Sequence, residues 1–298
     1  MKQDWVYIED LHRHEGEVVR LKGWLYNKRE SKTVLFLILR DGTGLLQCVV
    51  TQGEVAPSTW EAAETLTQES SFEVVGEVRK DERQIGGYEL HVRELTPIHI
   101  AEPYPITPKP HGIEFLLDHR HLWLRSRRPW AIMRVRNALY RAINAFFLER
   151  GFLKLDAPIL TANAVEGTST LFETDFFGEP AYLTQSGQLH AEAMAMAFGR
   201  VYTFGPTFRA EKSKTRRHLA EFWMVEPEMA FYDLDMNMDL AEELLVHVVR
   251  YALEHCQTEL EVLGRDLEPL KRVEAPFPRI SYSEAVDLLH SDETARMT

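Results

Sequence analysis

The 298-residue sequence predicts an α+β fold in two domains, a small β-barrel followed by a larger domain in which helices flank antiparallel strands. Three observations carry that reading. The first hundred residues alternate apolar and polar side chains with period two between turn-forming clusters. A proline-rich stretch, "AEPYPITPKPHG" (101–112), then breaks the pattern. Beyond it the apolar period becomes helical, in runs too long for strands.

The barrel strands can be taken in order. "EVVRLKGWLYNKRES" (17–31) alternates and then turns polar. "TVLFLILRDGTGLLQCVVT" (33–51) holds two strands about a "DGTG" turn, where Asp-Gly supplies hairpin chemistry. "PSTWEAAETLTQES" (57–70) has helical composition and a start that resembles a capping box. "SSFEVVGEVRK" and "YELHVRELTPIHI" alternate again on either side of "DERQIGG". Five strands with one helix between the third and fourth match the order of an OB barrel, and another small β-barrel is the alternative. Pro97, Pro103, Pro105, Pro108 and Pro110 stiffen the boundary, so the expected domains are 1–100, a hinge at 101–118, and 119–298.

In the second domain, Ile132, Val135, Leu139, Ile143, Phe146 and Phe147 follow helical spacing up to Gly151. "FLKLDAPIL" (152–160) reads as a short strand interrupted by Pro158, which suits an edge or an interface. Short strands follow in "LFETDFFG" and "EPAYLTQS", then a helix from about Gln188 to Gly199. "DLDMNMDLAEELLVHVVRYALEHCQTELEVL" (233–263) reads as one long amphipathic helix.

Composition sets bounds without choosing a function. Hydrophobic residues make up 45% and charged residues 27%, as in ordinary globular chains. No apolar run approaches the roughly 20 residues that span a bilayer, and the N-terminus lacks an apolar signal core, so a cytoplasmic protein with no membrane partner is expected. Cys48 and Cys256 have neither CxxC nor zinc spacing and read as two reduced thiols. The net charge of −12 weakly disfavours nucleic acid. However, residues 111–150 carry eight Arg against three acids, a local basic region that can meet RNA.

The chemistry concentrates in "TFGPTFRAEKSKTRRHLAEFWMVEPEMAF" (203–231), where two apolar strands enclose a charged loop. Arg209 at the turn end of the first strand has the fork geometry that binds phosphate oxygens, and Phe222 on the return strand is a flat support for a purine. The combination reads as an ATP site on an antiparallel hairpin, since neither GxxxxGK[ST] nor GxGxxG occurs. A solvated hairpin with a salt-bridged tip is the plainer alternative.

This run closely resembles motif 2 of the class II aminoacyl-tRNA synthetases, in the form used by the aspartyl/asparaginyl/lysyl subgroup. "LLDHRHLWLRS", "FFLERGFLKLDAPIL" (motif 1, with Pro158) and "LTQSGQL" extend the likeness, and "LKGWLYNKRESKTVLFLILRDGTGLLQCVV" resembles that subgroup's anticodon-binding OB domain. The resemblance covers about residues 10–290. It implies a class II antiparallel sheet, a homodimer with Pro158 at its interface, and ATP with Mg²⁺ as co-substrate and metal. By residue it implies Arg209 on the α-phosphate and the amino-acid carboxylate. Glu211, Arg217, His218, Leu219 and Phe222 would line the ATP, and Glu166 and Gln188 the amino acid.

Within the subgroup, "EFWMVEPEMAF" resembles the asparaginyl branch. Aspartyl relatives carry a Lys where this chain has Ala191, followed by Glu192; a carboxylate suits an amide NH₂ and repels a second carboxylate. The implied activity is activation of asparagine and its transfer to tRNA-Asn, with aspartate–tRNA ligation or a non-catalytic tRNA-binding fragment as alternatives. A family asparagine synthetase lacking an OB domain is disfavoured by residues 1–100. Phe36, Arg29 and Gln47 match positions that contact anticodon bases, although alternation alone leaves Phe36 as readily in the core. The Gly-rich motif 3, its Arg and the Mg²⁺-binding acids are not found before Thr298, so the chain as it stands is expected to be inactive in synthesis.

Overall fold

A computed structural model describes residues 4–164, 170–212, 215 and 217–291. The chain forms two compact units, Met1–Arg120 and His121–Thr298. In the first, β1 (Val18–Ser31), β2 (Val34–Arg40), β3 (Leu45–Thr51), α1 (Pro57–Thr65), β4 (Ser71–Lys80) and β5 (Tyr88–His99) follow one another. The strands close into a barrel in the order β1-β2-β3-β5-β4, with β3 and β5 parallel and the other ladders antiparallel.

Period two places the core. Leu35, Leu37 and Leu39 of β2, Leu46, Cys48 and Val50 of β3, and Phe72, Val74 and Val78 of β4 all point inward and are buried. Each such side chain contributes about 1.5–3 kcal/mol relative to exposure. α1 adds Ala63, with Leu66 just beyond its end. Its start differs from expectation: the N-cap is Ala56, with no side-chain hydrogen bond, and Pro57 opens the first turn. Proline's fixed φ and missing N–H suit that position, so the helix begins without a capping box.

Two short helices, α2 (Ile113–Asp118) and α3 (Arg120–Trp123), follow the proline-rich segment. α4 (Arg127–Glu149) begins before the expected periodic run because Pro129 is tolerated in a first turn. The expected strand at 152–160 is divided: β6 (Leu153–Lys154) joins one sheet and β7 (Leu160–Thr161) another, with Pro158 exposed between them. β8 (Glu173–Phe176) and β9 (Glu179–Leu183) complete the sheet β7-β9-β8. α5 (Gln188–Phe198), β10 (Arg200–Phe208) and β11 (Glu221–Met229) follow, the last two pairing with β6 in the order β11-β10-β6.

The expected single helix at 233–263 is broken at Cys256 into α6 (Leu234–His255) and α7 (Gln257–Leu263). The break lets Cys256 and Leu260 pack around Ala138 of α4, which a continuous helix would carry past. Short α8 (Glu268–Lys271) and α9 (Tyr282–Leu289) close the described chain, α9 opening with a Ser281/Glu284 capping box.

One face of the β10–β11 pair is the core of this unit. Tyr202, Phe204, Val225 and Met229 pack under Phe146 and Phe147 of α4 and Leu240 of α6, and the Tyr202 hydroxyl donates to Asn144 Oδ1 at 2.8 Å. The other face carries the site.

Candidate active site and RNA-facing pocket

Alternation puts Val201, Thr203, Gly205 and Thr207 of β10 on the same side as Phe222, Met224, Glu226 and Glu228 of β11, in the register Thr203↔Glu226 and Thr207↔Phe222. α5 lies on this side, packing Ala191 and Ala195 on Val201. Between β9 and α5 runs the buried turn Thr184–Gln185–Ser186–Gly187. A side chain at Gly187 would meet Thr203 Oγ1 at 2.8 Å, so only glycine lets the turn approach β10 this closely.

The turn joins an arginine to a carboxylate. Arg209 Nη1 donates to the Gln185 carbonyl, and its Nη2 lies 3.9 Å from Met224 Sδ. The guanidinium carbon is 5.7 Å from the Phe222 ring centre, so the predicted phosphate-binding and base-supporting groups stand side by side. Two residues along the turn, Glu226 accepts from the Ser186 hydroxyl, from the Gly187 N–H at 3.0 Å and from Thr203 Oγ1 at 3.2 Å. Burial pushes the Glu228 carboxyl above the ordinary carboxylate range, and the charges of Glu192 and Glu226 add to it.

Glu192 is exposed, one position round α5 from buried Ala191, and accepts from Gln188 Nε2 at 2.9 Å. Glu211, Arg217, His218 and Leu219 lie exposed at the tip of the β10–β11 hairpin, where His218 Nδ1 meets Thr215 Oγ1. Glu166 lies outside the described residues. Glu226 and Glu228 were not singled out from the sequence. Their signal was present: in step with Phe222 and Met224, they are two acids two residues apart in a largely apolar strand. Among the described residues no group of three His, Cys, Asp or Glu could hold a metal ion, so the residues present do not by themselves fit a Mg²⁺ site.

In the barrel, Phe36 points outward and is half-buried, opposite the inward Leu35 and Leu37. Arg29 pairs across with it in register, its guanidinium 6.0 Å from the ring centre. Together with Glu30, Gln47 and Gln84 they line a cleft of about 340 Å³. All three RNA-facing residues expected from the sequence thus share one pocket, and Gln84, from the loop between β4 and β5, is an addition.

The chain thus pairs a barrel bearing an outward aromatic–arginine cleft with an antiparallel hairpin bearing an arginine beside an aromatic. The family described as tRNA synthetases class II (D, K and N) matches residues 112–297, and an OB-fold nucleic acid binding domain matches residues 19–98. The chain belongs to that class II synthetase family. It is 56% identical over 286 residues to an asparagine–tRNA ligase of Symbiobacterium thermophilum, covering 96% of this chain and 65% of the relative. It is 57% identical over 288 residues to that of Thermus thermophilus, covering 96% and 66%. The solved asparaginyl-tRNA synthetase of Pyrococcus horikoshii complexed with asparaginyl-adenylate superposes with a TM-score of 0.89 at 43% identity, covering 97% of this chain and 67% of that one. The chain therefore spans about two thirds of the length of these relatives. Among the described residues no helix is long and apolar enough to cross a membrane.

Proposed function

We propose that this chain carries the anticodon-binding and first catalytic portions of an asparagine–tRNA ligase, which joins asparagine to ATP as asparaginyl-adenylate and transfers it to the 3′ end of tRNA-Asn. The observation that supports this best is one sheet face holding an arginine and an aromatic at one end and Glu226 and Glu228 at the other, with Glu192 of α5 near enough to act on Glu228. In this reading the substrate carboxylate attacks the α-phosphorus, a C–O–P linkage forms and pyrophosphate leaves. Arg209 steadies the charge on the phosphate oxygens, and its neighbours Gln185 and Met224 hold the fork in place. Phe222 supports the adenine, with Glu211, Arg217, His218 and Leu219 bordering the nucleotide. Gln188, and Glu166 beyond the described residues, hold the amino acid. Mg²⁺ would accompany the ATP and offset its phosphate charge, on ligands that the described residues do not supply.

Choice of amino acid follows from charge. Burial first, and the charges of Glu192 and Glu226 second, raise the Glu228 pKa, so an amide NH₂ is welcome beside these acids and a further carboxylate is not. Glu192 was expected to act alone; in this reading it acts with Glu226 and Glu228. A homodimer with Pro158 at the interface, a hinge over 101–118 and a cytoplasmic location complete the proposal.

The test is asparagine-dependent ATP–pyrophosphate exchange in this chain extended by the corresponding last third of a relative. Arg209→Lys should lose about 10²–10³ in rate, the worth of one oriented donor to a developing charge. Near-normal exchange in that variant would sink the assignment. Glu192→Gln should narrow the preference for asparagine over aspartate, and an unaltered ratio would remove Glu192 from the discriminating group.

A further inference from the structure

One buried hydroxyl on the hairpin face is committed to a single partner. Thr203 of β10 is 3% exposed and stands in register with Glu226 of β11. Its Oγ1 donates to Glu226 Oε2 at 3.2 Å. The Gly187 N–H donates to the same oxygen at 3.0 Å, while the Ser186 hydroxyl donates to Oε1. Ser186 Oγ in turn accepts from the Gln188 N–H at 3.1 Å, where α5 begins. Threonine is stiff about χ1. The turn also presses on it, since a Cβ on Gly187 would lie 2.8 Å from Thr203 Oγ1 and 3.2 Å from its Cγ2. The hydroxyl is therefore fixed against the carboxylate.

These donors can be set against what a carboxylate accepts. An ionised carboxylate has about four acceptor positions, two on each oxygen. Among the described residues, Gly187 and Thr203 fill both positions on Oε2, and Ser186 fills one on Oε1. The position left over lies on Oε1. We propose that Thr203 is a positioning residue for the choice of amino acid: by closing Oε2 it leaves Glu226 one acceptor, held in one place for a donor on the substrate side chain. An amide NH₂ supplies that donor. The carboxylate of aspartate has no proton to give and meets Glu226 as a like charge. Without the Thr203 hydroxyl, Oε2 regains an open position. The carboxylate can then turn and be satisfied by water, and the two side chains are told apart less well. The inference rests on reading this face as the amino-acid site, and it adds the residue that fixes Glu226 there.

The experiment is equilibrium binding of the 298-residue chain to two stable analogues, the sulfamoyl counterparts of asparaginyl-adenylate and aspartyl-adenylate. The unaltered chain should prefer the asparaginyl analogue by about 10–100-fold, the worth of one hydrogen bond to a charged group. Thr203→Val, which keeps the shape and removes the hydroxyl, should bring that ratio close to one. Thr203→Ser, which keeps the donor, should hold it. A merely structural role would weaken both analogues equally and leave the ratio where it was, which overturns the proposal. Should Thr203→Val fail to fold, Thr203→Cys decides in its place, because it keeps the volume and offers only a weak donor. It should narrow the ratio, and a ratio equal to that of the unaltered chain overturns the proposal. Equal binding of both analogues by the unaltered chain overturns this inference and spares the nucleotide reading of the hairpin. Binding of neither overturns both.

Discussion

Glu228 is the single residue where the site's electrostatics become a stability measurement. Its carboxyl is held above the ordinary range by burial first and by Glu192 and Glu226 second. An acid whose folded pKa is raised binds its proton more tightly in the folded state. The folded state is then favoured below the unfolded value, and that advantage is lost as pH rises through the folded one. Glu228→Gln removes the titration, so its melting temperature relative to the unaltered chain should climb as pH rises from the ordinary carboxylate range toward neutrality. A difference that stays constant across that window would show that Glu228 is not under this strain. In the barrel, Arg40 and Glu69 form a buried fork with contacts of 2.7 and 2.8 Å. Arg40→Met leaves a carboxylate whose side chain is 4% exposed, and should cost about 3–5 kcal/mol in chemical denaturation. Replacing Glu69 by Gln as well should return most of that loss, and a double variant no better than the single would place the cost elsewhere.

Among the elements, the barrel's curvature depends on two glycines whose role is spatial. A Cβ on Gly23 of β1 would fall 2.3 Å from the Arg40 carbonyl oxygen, and one on Gly76 of β4 would fall 2.4 Å from that of His91. Backbone cannot move aside cheaply, so Gly23→Ala and Gly76→Ala should each destabilise by about 1–3 kcal/mol. Gly112, which caps α2 at φ −65° with nothing within 4 Å of its Cβ position, should accept alanine without loss. Equal midpoints for all three variants would refute the close-approach account. Period two sufficed to place the five strands, because one face of each strand is a dry core; it left Phe36 open between core and surface, and the family resemblance was needed to turn it outward. It did not reveal that the long 233–263 pattern bends at Cys256, since the break answers to packing against Ala138, more than a hundred residues away. Nor did it separate β6 from β7, because a two-residue strand has too few side chains to show a period. At the site, Arg209 and Phe222 were legible from their charge and flatness at the ends of a hairpin. Glu226 and Glu228 needed the register of that hairpin before their shared face could be seen.

For the molecule as a whole, the barrel cleft and the hairpin face belong to separate compact units and share no side chain. Base–aromatic stacking is worth about 1–3 kcal/mol, so on the proposed reading Phe36→Ala should weaken binding of an RNA stem-loop by that amount and leave adenylate formation alone. Arg209→Lys should do the reverse. Substitutions in independent sites add to within about 0.3–0.5 kcal/mol, so the double variant should show each loss undiminished when both are measured on the extended chain. The barrel's contribution should also fall with salt. Overall net charge of −12 gives no general attraction for RNA, so binding depends on local cations such as Arg29, and raising ionic strength should weaken it in proportion to the phosphates they meet. Adenylate formation, between small ligands on the hairpin face, should change far less over the same salt range. If Phe36→Ala slowed adenylate formation as strongly as it weakened RNA binding, the two units would be energetically coupled and the separate assignment of their sites would fall.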